Sequence, residues 1–197
     1  MPKPEGQART LNPQEFQEVI DTVRRKSTQP LRDIAILQMS YRSGLRAMEV
    51  AGLELRDILD SNGEIKRSIT LRKVATKGAK GGVAFLSHPE LREALEAYLV
   101  LKRSSISTTY NNVFISRKGT PFSPSSMSRL YSHLYKRAGF EGATGHSGRR
   151  SLARNLNEQN VSVYNIQKVL RHSNIQTTVK HYLSVDEEVL ANLVEGV

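Results

Sequence analysis

A chain of 197 residues with 38% hydrophobic and 24% charged residues has the size and composition of one globular domain, long enough to bury a real core. No apolar run approaches the roughly 20 residues of a membrane span, and the opening MPKPEGQART lacks the apolar stretch of a secretory signal. The absence of cysteine removes disulfides and thiolate metal sites, which fits a reducing cytoplasm, and the net charge of +10 calls for a polyanionic partner.

Residues 1–10 read as a flexible tail. In LNPQEFQEVIDTVRRK, Asn12 as cap, Pro13 at the first helical position and Glu15 three residues after the cap predict a helix over about 12–26. Pro30 restarts the chain, and LRDIAILQMSYRSGL carries Ile34, Leu37 and Tyr41 at helical spacing until Gly44 ends the pattern. RAMEVAGL follows as a short helical turn with Arg46 and Glu49. From residue 57 the apolar period becomes two. DILDSNGEIKRSITLRKV has an Asn-Gly turn at 62 and 63, and ATKGAKGG forms a second, basic turn before VAFLS, so a three-stranded antiparallel sheet is predicted. Ser87, Pro89 and Glu90 start a helix that runs to about Ser104. SISTTYNN is a polar loop, VFISRKGTPFSP an extended segment with a turn, and Ser123 with Pro124 opens a helix closed by Gly139. Further helices are expected near 146–159, 163–171, 174–181 and 185–194. The fold class is α+β, mostly helical around one small three-stranded antiparallel sheet.

The positive charge is unevenly spread. Residues 1–59 hold nine Lys/Arg against eight Asp/Glu, residues 60–140 fourteen against five, residues 141–182 six against two, and residues 183–197 none against four. Such segregation implies a basic face, which binds nucleic acid by counterion release, or else a solvated basic surface.

Within TGHSGRRS, His146 and Arg149 stand three residues apart at a helix start, sharing a face beside unpaired backbone N–H groups. That arrangement suits a phosphate, since a guanidinium offers two parallel hydrogen bonds and the helix end adds partial positive charge. Solvated surface arginines are the alternative. His146, His172 and His181 could supply nitrogens to a metal, but Glu158 is the one carboxylate between residues 142 and 182, which disfavours two-metal phosphodiester chemistry. Protein cations can instead stabilise the transition state, and Tyr182 is then the best nucleophile, because nearby guanidiniums favour its phenolate. A tyrosine that anchors a helix end through its hydroxyl is the competing reading.

Four stretches in order make the chain resemble the tyrosine recombinase, or phage integrase, family. SGLRAMEVAGLELRDI is similar to the first arginine box and carries Arg46. TKGAKGG resembles the hairpin with the family's lysine, which maps to Lys77 as the first position of a Lys-Gly-x-Lys pattern; Lys80 lies three residues on. GHSGRRS resembles the His-x-x-Arg box with His146 and Arg149, and VLRHSNIQTTVKHYLSV resembles the segment that holds the second histidine and the nucleophile, His172 and Tyr182. The resemblance implies a mostly helical catalytic domain over 11–183 and a metal-independent reaction without cofactor. In it Tyr182 attacks a phosphodiester of double-stranded DNA to give a 3′-phosphotyrosyl link, and Arg46, Arg149 and His172 hold the non-bridging oxygens. Lys77 protonates the 5′-oxygen and His146 acts as acid or base toward the tyrosine. A homo-tetramer on paired DNA sites is the implied assembly.

Three departures stand out. Gly148 replaces a large apolar residue, Arg171 replaces a glycine before the second histidine, and Tyr182 lies ten residues after His172 where nine is the commoner spacing. The first arginine box begins by residue 44, which leaves no room for the N-terminal helical domain of most relatives and suggests a minimal recombinase or a catalytic fragment. SVDEEVLANLVEGV, over 184–197, predicts an amphipathic helix that packs on its own domain or is exchanged between protomers. An idle DNA-binding regulator and a type IB topoisomerase-like nicking enzyme are the alternative functions.

Overall fold

The computed structural model describes residues 8–72, 82–104 and 110–172. Helix α1 (Pro13–Lys26) starts as its sequence predicts: Asn12 Oδ1 accepts from the Glu15 N–H at 2.8 Å, and Glu15 Oε2 accepts from the Asn12 N–H at 2.9 Å. The chain before it lies along a later helix, with the Leu11 N–H donating to Ser151 Oγ at 2.8 Å and Arg150 donating to the Ala8 carbonyl. Helix α2 (Pro30–Ser43) is central, buried without a break from Arg32 to Tyr41. An all-round buried helix has no solvated face on which to place its charges, so Arg32 and Asp33 pair with each other at 2.7 Å.

Gly44, at φ +64°, turns the chain out of α2 into α3 (Ala47–Gly52) and α4 (Leu55–Ile58). The sheet has two strands, β1 (Ser68–Leu71) and β2 (Gly82–Phe85), antiparallel with Ser68 opposite Phe85 and Leu71 opposite Gly82. This corrects the three-stranded expectation. Asp57 accepts from the Glu54 N–H at 2.8 Å and starts α4 where a strand was expected, and Asp60 Oδ1 takes the Asn62 and Glu64 N–H groups at 2.8 and 3.0 Å. These side chains compete with the ladder for backbone donors, leaving a single bridge between Leu59 and Ile65.

Helix α5 (Pro89–Ser104), α6 (Pro124–Arg137), α7 (Ser147–Glu158) and α8 (Val163–Leu170) complete the described elements. The 174–181 and 185–194 helices of the sequence reading lie outside the described residues. The main core joins α1, α2, α5 and α6, with Phe16 stacked on Tyr41 at 3.6 Å between ring centres and the Tyr131 hydroxyl donating to the Ile36 carbonyl at 2.7 Å. A smaller cluster of Ala153, Ile166 and Leu170 locks α8 onto α7.

Helix α7 packs on α2 through Gly148. A Cβ there would stand 2.8 Å from Ser40 Oγ and 3.0 Å from the Tyr41 backbone nitrogen, so a side chain would hold the helices apart. The departure seen in the sequence is thus a close-approach site.

Candidate active site

Three distant stretches of chain meet at the loop between α2 and α3. Arg46 is the residue before α3, its side chain one-quarter exposed, and its Nη1 donates to Glu49 Oε1 at 2.7 Å. Its backbone N–H donates to Glu49 Oε2 at 2.8 Å, so the carboxylate fixes the loop and the guanidinium together. Arg149 enters from the first turn of α7 and is buried; its Nη1 donates to the Gly44 carbonyl and its Nη2 to the Leu170 carbonyl at the end of α8. His172 follows directly, with its backbone N–H donating to the Gln167 carbonyl at 3.1 Å and its carbonyl accepting from Gln167 Nε2 at 3.0 Å.

His146 is exposed at the cap of α7. The preceding residue packs toward the first arginine box, since a Cβ on Gly145 would lie 3.4 Å from the Cβ of Ala47. Arg46, Arg149, His146 and the backbone of His172 are therefore brought to one region. Lys77 and Tyr182 lie outside the described residues, as do Lys80 and His181.

The feature the sequence reading missed is the role of Arg171. The sequence showed only an arginine where the family pattern has glycine. Its side chain is 9% exposed and points inward, Nη2 donating to Glu49 Oε2 at 2.9 Å and to the Gly44 carbonyl at 3.0 Å. Its backbone sits at φ +53°, the conformation a glycine would adopt there, at a cost of about 1–2 kcal/mol for a residue with a side chain. A non-glycine in that position, directly before His172, was the available signal.

Glu49 is fully buried among these groups. Burial alone would raise its pKa, but Arg171, the Arg46 N–H and the Arg46 guanidinium outweigh that and hold the carboxyl below its usual value. The surroundings also anchor the described residues on either side of the segment that carries Lys77. At the β1 end Arg72 pairs with Asp57 at 3.0 Å and Glu54 at 2.8 Å, and at the β2 end Gly82 abuts the stem of Arg171. Among the described residues no group of His, Asp and Glu is arranged to hold a metal.

The family model described as Phage integrase family matches residues 9–188. The chain belongs to the phage integrase family. Among its curated relatives, "Tyrosine recombinase XerC" of Myxococcus xanthus is 31% identical over 98% of the chain and 63% of its own length. "Transposase A from transposon Tn554" of Staphylococcus aureus is 31% identical over 94% of the chain and 51% of its own. The chain thus spans between half and two-thirds of the length of these relatives. A crystal structure of XerA recombinase superposes with a TM-score of 0.76 at 24% identity, covering 98% of the chain and 66% of that protein. XerH site-specific recombinase bound to difH substrate superposes at 0.72 with 19% identity, over 94% and 53%. At such identities the likeness speaks for the fold, which is the integrase catalytic fold. No helix among the described residues is long and apolar enough to cross a membrane.

Proposed function

We propose that the chain is the catalytic domain of a site-specific DNA recombinase that cuts and rejoins strands through a phosphotyrosyl intermediate. The observation that carries this reading is the joining of Arg46 and Arg149, 103 positions apart in the sequence, through Gly44 and Glu49, beside the segment leading to His172. Two guanidiniums fixed by buried partners place positive charge for the non-bridging oxygens of one phosphate without reorganising as charge develops.

Tyr182 Oη attacks the phosphorus and the bond from phosphorus to the 5′-oxygen breaks. The phosphate is left esterified to the tyrosine and to the 3′-oxygen. Lys77 gives a proton to the departing 5′-oxygen, His146 takes the phenolic proton, and His172 donates to a non-bridging oxygen. Attack by a 5′-hydroxyl from a second duplex reverses the step, so no metal or nucleotide is consumed. The basic middle of the chain, fourteen Lys/Arg against five Asp/Glu over residues 60–140, supports double-stranded DNA as the substrate. Strand exchange between paired sites requires four active sites, hence a homo-tetramer on DNA in the cytoplasm. The amphipathic 184–197 segment is the element proposed to link protomers.

The test uses nicked suicide duplexes built from the DNA flanking the coding region. An adduct resistant to SDS, lost in Tyr182→Phe, is expected. Binding without an adduct at any flanking site would make the chain a regulator. Relaxation of arbitrary supercoiled plasmid would make it a topoisomerase.

A further inference from the structure

Two of the three guanidiniums at the site share one carboxylate. Glu49 Oε1 accepts from Arg46, and Glu49 Oε2 accepts from the Arg46 N–H and from Arg171. Without Arg171 the charges of Arg46 and Glu49 cancel, and Arg149 alone supplies positive charge. With it, Arg46 and Arg171 together face Glu49, Arg149 stands beside them on the Gly44 carbonyl, and the three guanidiniums and one carboxylate leave two positive charges.

We propose that Arg171 is a positioning residue that neutralises buried Glu49 and thereby leaves the charge of Arg46 available to a phosphate held with Arg149. The proposal rests on the recombinase reading for its substrate and on the described contacts for its geometry. Arg171 donates to Glu49 Oε2 while the Arg46 guanidinium donates to Oε1, and its Nη2 also shares the Gly44 carbonyl with Arg149. A third bond, from Nη1 to the Val169 carbonyl at 3.1 Å, holds the guanidinium plane against the end of α8. With its side chain only 9% exposed, the residue is read as working through Glu49 and not by touching DNA. Its stem is in turn pinned by β2, where a Cβ on Gly82 would stand 2.7 Å from Arg171 Cδ. The strand that follows the segment carrying Lys77 therefore backs the residue that balances Glu49. Low local dielectric makes such a charge felt over the few ångströms to a bound anion.

The test compares Arg171→Met, Arg171→Gly and Arg171→Lys in the full chain. Met keeps the reach and the backbone strain but loses the charge, Gly relieves the positive φ and loses the charge, and Lys keeps the charge. Folding is checked by circular dichroism, so that a collapsed Met variant leaves Gly to decide. Removing a donor that touches a developing oxyanion costs about 10²–10³ in rate, so a charge acting through one carboxylate is expected to cost about tenfold. Single-turnover adduct formation at saturating DNA should slow by that factor in Met and Gly with little change in half-saturating DNA, and Lys should recover most of it. Titration with inorganic phosphate, followed by ³¹P NMR, should show affinity weakened several-fold in Met and Gly and restored in Lys. Wild-type rates and phosphate affinity in the charge-loss variants would overturn the proposal, as would equal losses in Lys and Met. An inert wild type whose phosphate affinity still depends on Arg171 would sink the recombinase reading and leave this one standing.

Discussion

Above pH of about 4.5 Glu49 is a buried anion whose partners come from two elements, and its removal exposes what it holds. Breaking a buried pair from one side costs about 3–5 kcal/mol, because the remaining charges are left facing each other. Glu49→Gln is therefore expected to lower stability at pH 7 by about 3 kcal/mol, measured by urea unfolding. The carboxyl pKa is lowered in the folded state, so its contribution is fully present above the unfolded value and is lost as pH falls through the folded one. The difference between wild type and Glu49→Gln should then close progressively below pH of about 4.5, and a gap that stays constant down to the acid transition would contradict the ion-pair account. At this scale spacing and resemblance pointed to Arg46, His146, Arg149 and His172, which the fold brings to one region. It could not see that Arg171 turns inward, because the direction of a side chain in a left-handed cap depends on what lies beneath it. Here that is Glu49, 122 positions earlier.

Helix ends were the most legible elements. Asn12, Pro13 and Glu15 set the start of α1, Ser123 and Pro124 that of α6, and Gly44 and Gly139 take positive φ as predicted. These signals are local: a cap needs only a side chain within reach of its own backbone. The first predicted strand failed for the same reason in reverse. Alternating residues around 57–60 fit a strand, but Asp57 and Asp60 take backbone N–H groups that a ladder would need. The α7–α2 contact carries the next prediction. Gly to Ala inside a helix ordinarily gains up to about 1 kcal/mol, yet at Gly148 the new methyl would press on Ser40 and on Tyr41 backbone. Gly148→Ala is expected to lose about 1–3 kcal/mol by thermal unfolding and to slow adduct formation, since α7 carries Arg149. A variant as stable and active as wild type would mean that the two helices separate without disturbing the site.

At the scale of the whole molecule, four of the described ionisable groups, His88, Glu15, Glu49 and Glu90, weaken the fold as the solution is acidified. His88 is held below its usual value by burial and then by the Arg42 charge, against the opposing pull of Glu90. A base with a depressed folded pKa is protonated more readily when unfolded, so stability falls as pH drops through about 6.5 toward the folded value. Glu15, Glu49 and Glu90 have lowered values and give way only below about 4.5. The melting temperature should therefore decline in two stages between pH 7 and pH 4. His88→Gln should flatten the upper stage alone, and an unchanged profile would assign that stage to another group.

The chain's own pattern was sufficient for the class, the caps, the basic midsection and the family, because each depends on residue type, near spacing or the order of motifs. Packing settled the rest. Two strands in place of three, the close approach at Gly148, and the inward turn of Arg171 onto Glu49 all arise where segments far apart in sequence compete for the same space, hydrogen bonds and charge.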